Sequence, residues 1–170
     1  MGVSAGGRNR CSAYPGYVDD RQLVVDFLNT LDVEETTDVL AEAAGWRRWA
    51  AERDLRADPL PAARAARDAL RAAVGDPDAR TGPLRAPVHI ELSHGRPALV
   101  PASAVGAVLA AAARLAVLGE WDRVKICPAD DCRWAFYDQS RNRSRTWCSM
   151  RVCGNREKAR NWRQRAGSHG

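Results

Sequence analysis

Four of the chain's five cysteines, Cys127, Cys132, Cys148 and Cys153, fall in one short stretch near the C-terminus with the spacing C-x4-C-x15-C-x4-C. Two thiolate pairs on either side of a loop long enough to fold back place four soft sulfur ligands at the corners of a tetrahedron, which zinc favours. The spacing therefore predicts one structural zinc ion and a small module built around it. Two readings compete: two disulfides, as in an exported chain, or four unrelated buried thiols. Residues 1–7, followed by Arg8 and Arg10, lack the apolar core of an export signal, which favours reduced thiols and hence metal. Cys11 lies far from the cluster and reads as a free thiol.

A chain of 170 residues is long enough for one domain with a substantial core, or for a core domain with a small appendage. The cysteine distribution fits the second. Hydrophobic residues make up 45% but alanine dominates them and aromatics are only 6%, the composition of closely packed Ala-rich helices. The longest apolar stretch, 102–117, contains Arg114 and falls short of the roughly 20 residues that a membrane span requires. A soluble, cytoplasmic protein with no membrane partner is expected.

Charge is distributed unevenly. Residues 121–165 hold twelve basic side chains against five acidic ones, a net +7 in a chain whose total is +5, so the remainder is slightly acidic. Ten of the twelve are arginine, the residue favoured for phosphate recognition, and a polyanionic partner follows.

Residues 1–17 show no periodicity and read as a loose arm. Apolar side chains at i, i+4 and i+8 predict an amphipathic helix over 20–31, with Leu23, Val24, Phe27, Leu28 and Leu31 on its face. A second helix is expected over 40–53, its Trp46 and Trp49 anchoring the core, and a third from Pro61 to the stop at Gly75. After a Gly/Pro/Asp loop over 76–87, residues 88–92 and 97–100 read as a β-hairpin turned at Gly95. His89 and His94 lie in that hairpin with no other ligand type nearby, and read as exposed or core-polar rather than metal-binding. A fourth helix is predicted over 103–118, closed by Gly119. The expected organisation is a flexible arm (1–17), a helical domain with a short hairpin (18–120), a zinc finger (121–166) and a tail (167–170). The fold class is mainly α.

Within the cysteine module, 124–127 reads as a strand entering a metal-binding knuckle at 128–132. Residues 134–137 and 145–149 read as two further strands joined across the polar 140–144 loop, and 155–165 as a helix. Knuckle, hairpin and helix in that order are treble-clef-like. Trp134 and Trp147 are expected to form the module's small core.

The string Cys153-Gly154-Asn155-Arg156, preceded by Trp147-Cys148-Ser149-Met150, by Phe136-Tyr137-Asp138 and by Ser140-Arg141-Asn142, resembles the CGNR zinc finger family. Asp26-Phe27-Leu28-Asn29-Thr30 resembles the opening helix of the ABATE domain, which precedes this finger in proteins that are typically actinobacterial and named for stress-induced transcription regulation. The resemblance implies zinc on Cys127, Cys132, Cys148 and Cys153 and a role in transcription.

A site of four cysteines leaves no coordination position for water or substrate, and no catalytic constellation stands out in the chain, so an enzyme is not expected. The metal instead folds a module too poor in apolar residues to offset its own chain entropy. The module would then present a basic surface to double-stranded DNA. Arg156, Arg160 and Arg163 lie at i, i+4 and i+7 on the final helix with Lys158 and Arg165 flanking them, Asn155 and Asn161 are candidates for base reading, and Arg141, Arg143 and Arg145 suit the phosphate backbone. Asn155 as a helix cap and Arg156 as a structural hydrogen-bond donor are the competing roles for those two residues. The leading reading is a zinc-dependent DNA-binding transcription regulator whose helical domain senses a small-molecule effector or forms a homodimer. A redox-sensitive zinc-thiolate switch and an RNA-binding or protein-docking module are the alternatives.

Overall fold

Asp19 opens the first helix, its carboxylate accepting the amide of Arg21, and α1 (Asp20–Leu28) turns Leu23, Val24, Phe27 and Leu28 into the interior. The computed structural model describes residues 19–93 and 95–167. The expected arm over 1–17, with Cys11, lies outside the described residues, as do His94 and the tail beyond Gly167.

The chain then makes a short antiparallel pair, β1 (Leu31–Asp32) with β2 (Thr37–Asp38), in which Leu31 faces Asp38 and Asp32 faces Thr37. Two-residue strands are too short to show alternation, and the periodicity of the sequence does not predict them. Asp38 accepts the amide of Leu40 and opens a 3-10 turn, Val39–Ala41, so that α2 (Ala43–Ala51) begins three residues later than expected. The delay has a steric basis. A Cβ on Gly45 would stand 2.4 Å from the carbonyl oxygen of Val39, so the turn packs directly on the helix backbone. Trp46 and Trp49 stack with ring centroids 5.3 Å apart, and both meet Phe27, which confirms them as core anchors. The Trp46 indole N–H donates to the Asp58 carbonyl at 2.8 Å.

Helix α3 (Leu60–Ala73) carries Pro61 in its first turn, where the missing amide costs no hydrogen bond. The helix buries Ala63, Ala66 and Leu70, and with them Arg67 and Arg71, which the spacing alone would place in solvent. The predicted hairpin forms as β3 (Val88–Ser93) and β4 (Arg96–Pro101), six antiparallel rungs turned at Gly95 with φ +74. His89 is exposed there, away from any cluster of metal-ligating groups among the described residues. Ser103 caps α4 (Ala104–Val117), whose alanines at 104, 107, 110, 111 and 112 allow close approach to α1, and Gly119 ends it with φ +68. No helix among the described residues is long and apolar enough to cross a membrane.

The C-terminal segment contributes β5 (Val124–Ile126), β6 (Ala135–Tyr137) and α5 (Asn155–Gly167), the last preceded by a π-helical turn, Met150–Gly154. The observed hairpin pairs β5 with β6 in the register Val124–Tyr137, Lys125–Phe136 and Ile126–Ala135. The expected pairing of 134–137 with 145–149 does not occur, and 145–149 is irregular. Its amides are drawn elsewhere: the Asp138 carboxylate accepts the amides of Ser140 and Arg145 and folds the intervening loop around itself.

Two hydrophobic cores result. The larger gathers α1, α2, α3 and α4 and includes Val124, Ile126 and Ala135 of the C-terminal hairpin. The smaller holds Cys127, Ala129, Cys132, Phe136 and Cys153, with Trp147 and Cys148 packed against it. Trp134 is not part of it and lies exposed, so Phe136 takes the place expected for that tryptophan. Neighbouring residues of a strand point to opposite sides, and β6 uses this to send Ala135 into one core and Phe136 into the other. Because the Val39 carbonyl is backbone and has no rotamer to change, Gly45→Ala should lower unfolding stability by about 1–3 kcal/mol in a denaturant titration.

Candidate metal centre and nucleic-acid interface

The knuckle between β5 and β6 is a backbone device. Cys127 N–H donates to the Trp134 carbonyl at 2.9 Å, while Cys132 and Arg133 both donate to the Ala129 carbonyl, at 3.0 and 3.1 Å. Arg133 adopts φ +52, which reverses the chain into β6. Cys148 arrives on the irregular segment and Cys153 on the π-helical turn, where the Ser149 hydroxyl accepts the amide of Val152. Gly154 lets the turn pack closely: a Cβ there would meet the Met150 sulfur at 2.5 Å and the Trp147 ring at 3.3 Å, so the methionine would have to move aside.

All four sulfurs lie within 4.8 Å of one another, with Cys132–Cys148 and Cys148–Cys153 separations of 3.5 Å. Four sulfurs each about 2.3 Å from a zinc ion stand about 3.8 Å apart on a tetrahedron. Three of the cysteines are buried, and none of the four forms a disulfide. Burial pushes the Cys132 thiol up to about 12 and the Cys148 thiol up as well. Burial acts against ionisation of Cys153 too, but hydrogen bonds from Cys148 and the Arg156 guanidinium outweigh it and hold this thiol below the ordinary range. The donor set fits one structural zinc ion, which when bound supplies the positive charge that keeps all four thiols ionised.

Outside the sulfurs stands a polar cage. Asp138 is 0% exposed and accepts from Lys125 Nζ at 2.7 Å and from the amides of Ser140 and Arg145 at 2.8 and 2.9 Å. Burial alone would raise its carboxyl, but Lys125, the Ser140 hydroxyl and these two amides hold it well below the usual carboxylate range. Lys125 spends its remaining donors on the carbonyls of Arg143 and Arg145. Arg123 Nη1 reaches the carbonyls of Asp138 and Ser140, both at 2.9 Å.

The sequence-predicted contact residues separate into groups. Arg145 is exposed but folds back on its own loop: it donates to the carbonyls of Trp147 and Cys148, and its guanidinium sits 4.8 Å over the Phe136 ring. Arg156 Nη1 donates to Asp131 at 3.1 Å, while its Nη2 donates to Glu34 at 3.1 Å and to the Cys153 sulfur at 3.6 Å. Arg160 pairs with Glu157 at 2.9 Å and approaches Asp131 at 3.9 Å. The Asn155 amide donates to the Arg151 carbonyl at 3.2 Å, which ties the helix start to the π-helical turn. Arg163 reaches back to the Ala159 carbonyl at 3.3 Å. Arg141, Arg143 and Lys158 are exposed and have no side-chain partner among the described residues.

Three contacts that the sequence pattern does not announce lock the finger to the helical body. The Asn29 side chain donates to the Ala135 carbonyl at 2.9 Å and accepts the Ala135 amide at 2.7 Å, occupying the outer edge of β6 as a strand would. Arg71, 1% exposed, pairs with Asp76 at 2.6 Å and donates to the carbonyls of Leu28 and Arg133. Arg21 forks onto Glu120 and lies 4.8 Å over the Tyr137 ring. Asn29 belongs to the Asp26–Thr30 string quoted above, but only the fold shows why an asparagine is needed there.

Fold and site together define a helical body carrying a zinc finger, a strand pair around a knuckle followed by a helix, on its final quarter. The CGNR zinc finger model matches residues 123–166, and the ABATE model, described as "Putative stress-induced transcription regulator", matches residues 21–135. The second match spans well over half of the chain, which therefore belongs to the ABATE family with a C-terminal CGNR finger. No curated protein and no solved structure matches the chain.

Metal analysis should find one zinc per chain, lost in Cys127→Ser, and chelation should lower the melting temperature of the helical body as well as unfold the finger, since Val124, Ile126 and Ala135 of the finger's hairpin pack in the core of the body. Asp138→Asn should cost about 2–3 kcal/mol at pH 7, because the part-buried Lys125 ammonium and the two amides lose their ionised acceptor. The sign of its pH dependence follows from the depressed carboxyl. The unfolded chain takes up the proton at about pH 3.9 while the folded one resists it, so this stabilisation is full above about pH 4 and is lost as the pH falls further. The difference between the denaturation midpoints of the wild type and the Asp138→Asn variant should accordingly shrink below that pH.

Proposed function

We propose that the chain is a zinc-dependent transcription regulator of the cytoplasm that binds double-stranded DNA through its finger, and whose helical body carries the regulatory input, by effector binding or by self-association. The observation that carries the reading is the placement of the basic charge. Residues 161–165 of α5 are all exposed, so this part of the helix has no packing against it among the described residues. Apart from Trp162 the exposed side chains of this part are polar, and a helix surface left without packing is free to meet a partner. The exposed cations of the finger, Arg141, Arg143, Arg151 and Lys158, favour a polyanion, and the width of an α-helix suits the major groove.

A closed set of four sulfur ligands gives the metal a folding role and leaves it no position for substrate, which speaks for a binding protein over an enzyme. Regulation of transcription is also what the ABATE description names.

Binding of the zinc-loaded chain to duplex DNA, measured across a salt series, should give a log–log slope steeper than about −3, the signature of several neutralised phosphates. Replacing Arg141 and Arg143 together by alanine should weaken binding on all sequences alike and flatten the slope by about two. A flat salt series for the wild type, or a clear preference for structured RNA over duplex DNA in competition, would falsify the reading.

A further inference from the structure

The polar side chains of α5 do not share one environment. Arg156 and Arg160 lie on the side of the helix turned toward the knuckle and the body, where Glu34 on the β1–β2 turn and Asp131 on the knuckle neutralise them. Arg156 is the more committed of the two, since it also touches the metal-ligand sulfur of Cys153. A guanidinium held by two carboxylates and a thiolate has little charge left for a phosphate. About half a turn away around the helix, Asn155, Lys158 and Trp162 fall at i, i+3 and i+7 and form a second, continuous face. That face is open. Trp162 is 67% exposed on a helix whose other side chains are almost all polar, and Lys158 has no partner among the described residues.

Resting on the duplex-DNA reading above, we propose that Asn155, Lys158 and Trp162 are the base-reading face of α5, and that Arg156 is a positioning residue, a strut from body to metal that aims this face. The chemistry of each side chain fits the edge of a base pair in the major groove. Lys158 is a cation suited to the O6 and N7 acceptors of guanine. Asn155 spends its amino group on the Arg151 carbonyl, which leaves its Oδ1 as an acceptor for a base amino group such as adenine N6. Trp162 offers an apolar surface two turns along, and the apolar feature that the major groove presents is the thymine 5-methyl. Arg163, on the opposite side with Arg156 and Arg160, is placed to meet the phosphate backbone flanking the groove.

The test uses the full-length, zinc-loaded chain. A preferred duplex is first selected from a random pool by the wild type. Trp162→Ala should then weaken binding to that duplex about tenfold or more while changing affinity for a scrambled duplex by less than about twofold. Replacing the thymines of the preferred duplex by deoxyuridine, which removes only the 5-methyl, should reproduce the loss for the wild type and add nothing to Trp162→Ala. Lys158→Ala should relax selection at a guanine position. For the strut, Glu34→Gln alters a residue of the body, and it should lower the preferred-to-scrambled affinity ratio with zinc content and salt slope unchanged. A merely structural contact would not move that ratio alone. Undiminished preference in both Trp162→Ala and Lys158→Ala, with loss confined to Arg160→Ala and Arg163→Ala, overturns the assignment of the face. An unchanged ratio in Glu34→Gln overturns the strut. Failure of the wild type to select any duplex overturns the DNA reading itself, an outcome distinct from both.

Discussion

Strand β6 is one residue deep on each side, and both halves of the protein are built on it. Ala135 faces the helical core alongside Val124 and Ile126, while Phe136 faces the sulfur cluster. Because the pleat of a strand fixes these directions, neither core can be closed without holding the other in place. A metal module of this size has too little apolar surface to fold unaided. Here it borrows a wall from the body, and the body in turn depends on a wall that zinc holds straight. The outer edge of that wall is closed by the Asn29 amide and its inner edge by β5, so the main-chain groups of Ala135 are satisfied without a third strand.

Arginine is used in this molecule more as a structural group than as surface charge. Arg67 and Arg71 enter the core of α3 with carboxylates and carbonyls already arranged for them, and Arg123, Arg145 and Arg156 hold the loops of the finger to one another. Arginine suits this work because its planar fork satisfies several fixed oxygens at once, where a lysine would satisfy them from a single point. The net positive charge of the C-terminal segment therefore overstates what a partner would meet. The cations turned outward are fewer, and they gather on the 141–143 loop and on the far face of α5.

Legibility in the sequence followed the range of the interaction. The zinc ligands are readable because metal geometry constrains spacing within a few residues, and the main helices are readable because burial repeats every turn, as at Leu23, Val24, Phe27 and Leu28. The finger's hairpin is misread because the true partner of β6 lies before the knuckle, and of the two tryptophans expected in the small core Trp147 packs there while Trp134 is exposed. The Asp138 cage is invisible because one carboxylate taking two amides from a polar loop leaves no periodic trace. Arg71 is missed for a related reason. On an Ala/Arg helix every arginine looks solvent-facing until the carbonyls of Leu28 and Arg133 are placed above it by parts of the chain far away.

Those long separations bear on how the chain reaches this state. Helix α1 is the first described element to leave the ribosome, yet Asp20 pairs with Arg114, Arg21 with Glu120 and Asn29 with Ala135, each roughly a hundred residues later. Contacts this remote are closed late, after the loop entropy of the intervening chain has been overcome. Until then the apolar face of α1 has only part of its cover, the rings of Trp46 and Trp49 on Phe27. The first described helix is thus completed only when residues 114–135 have been made.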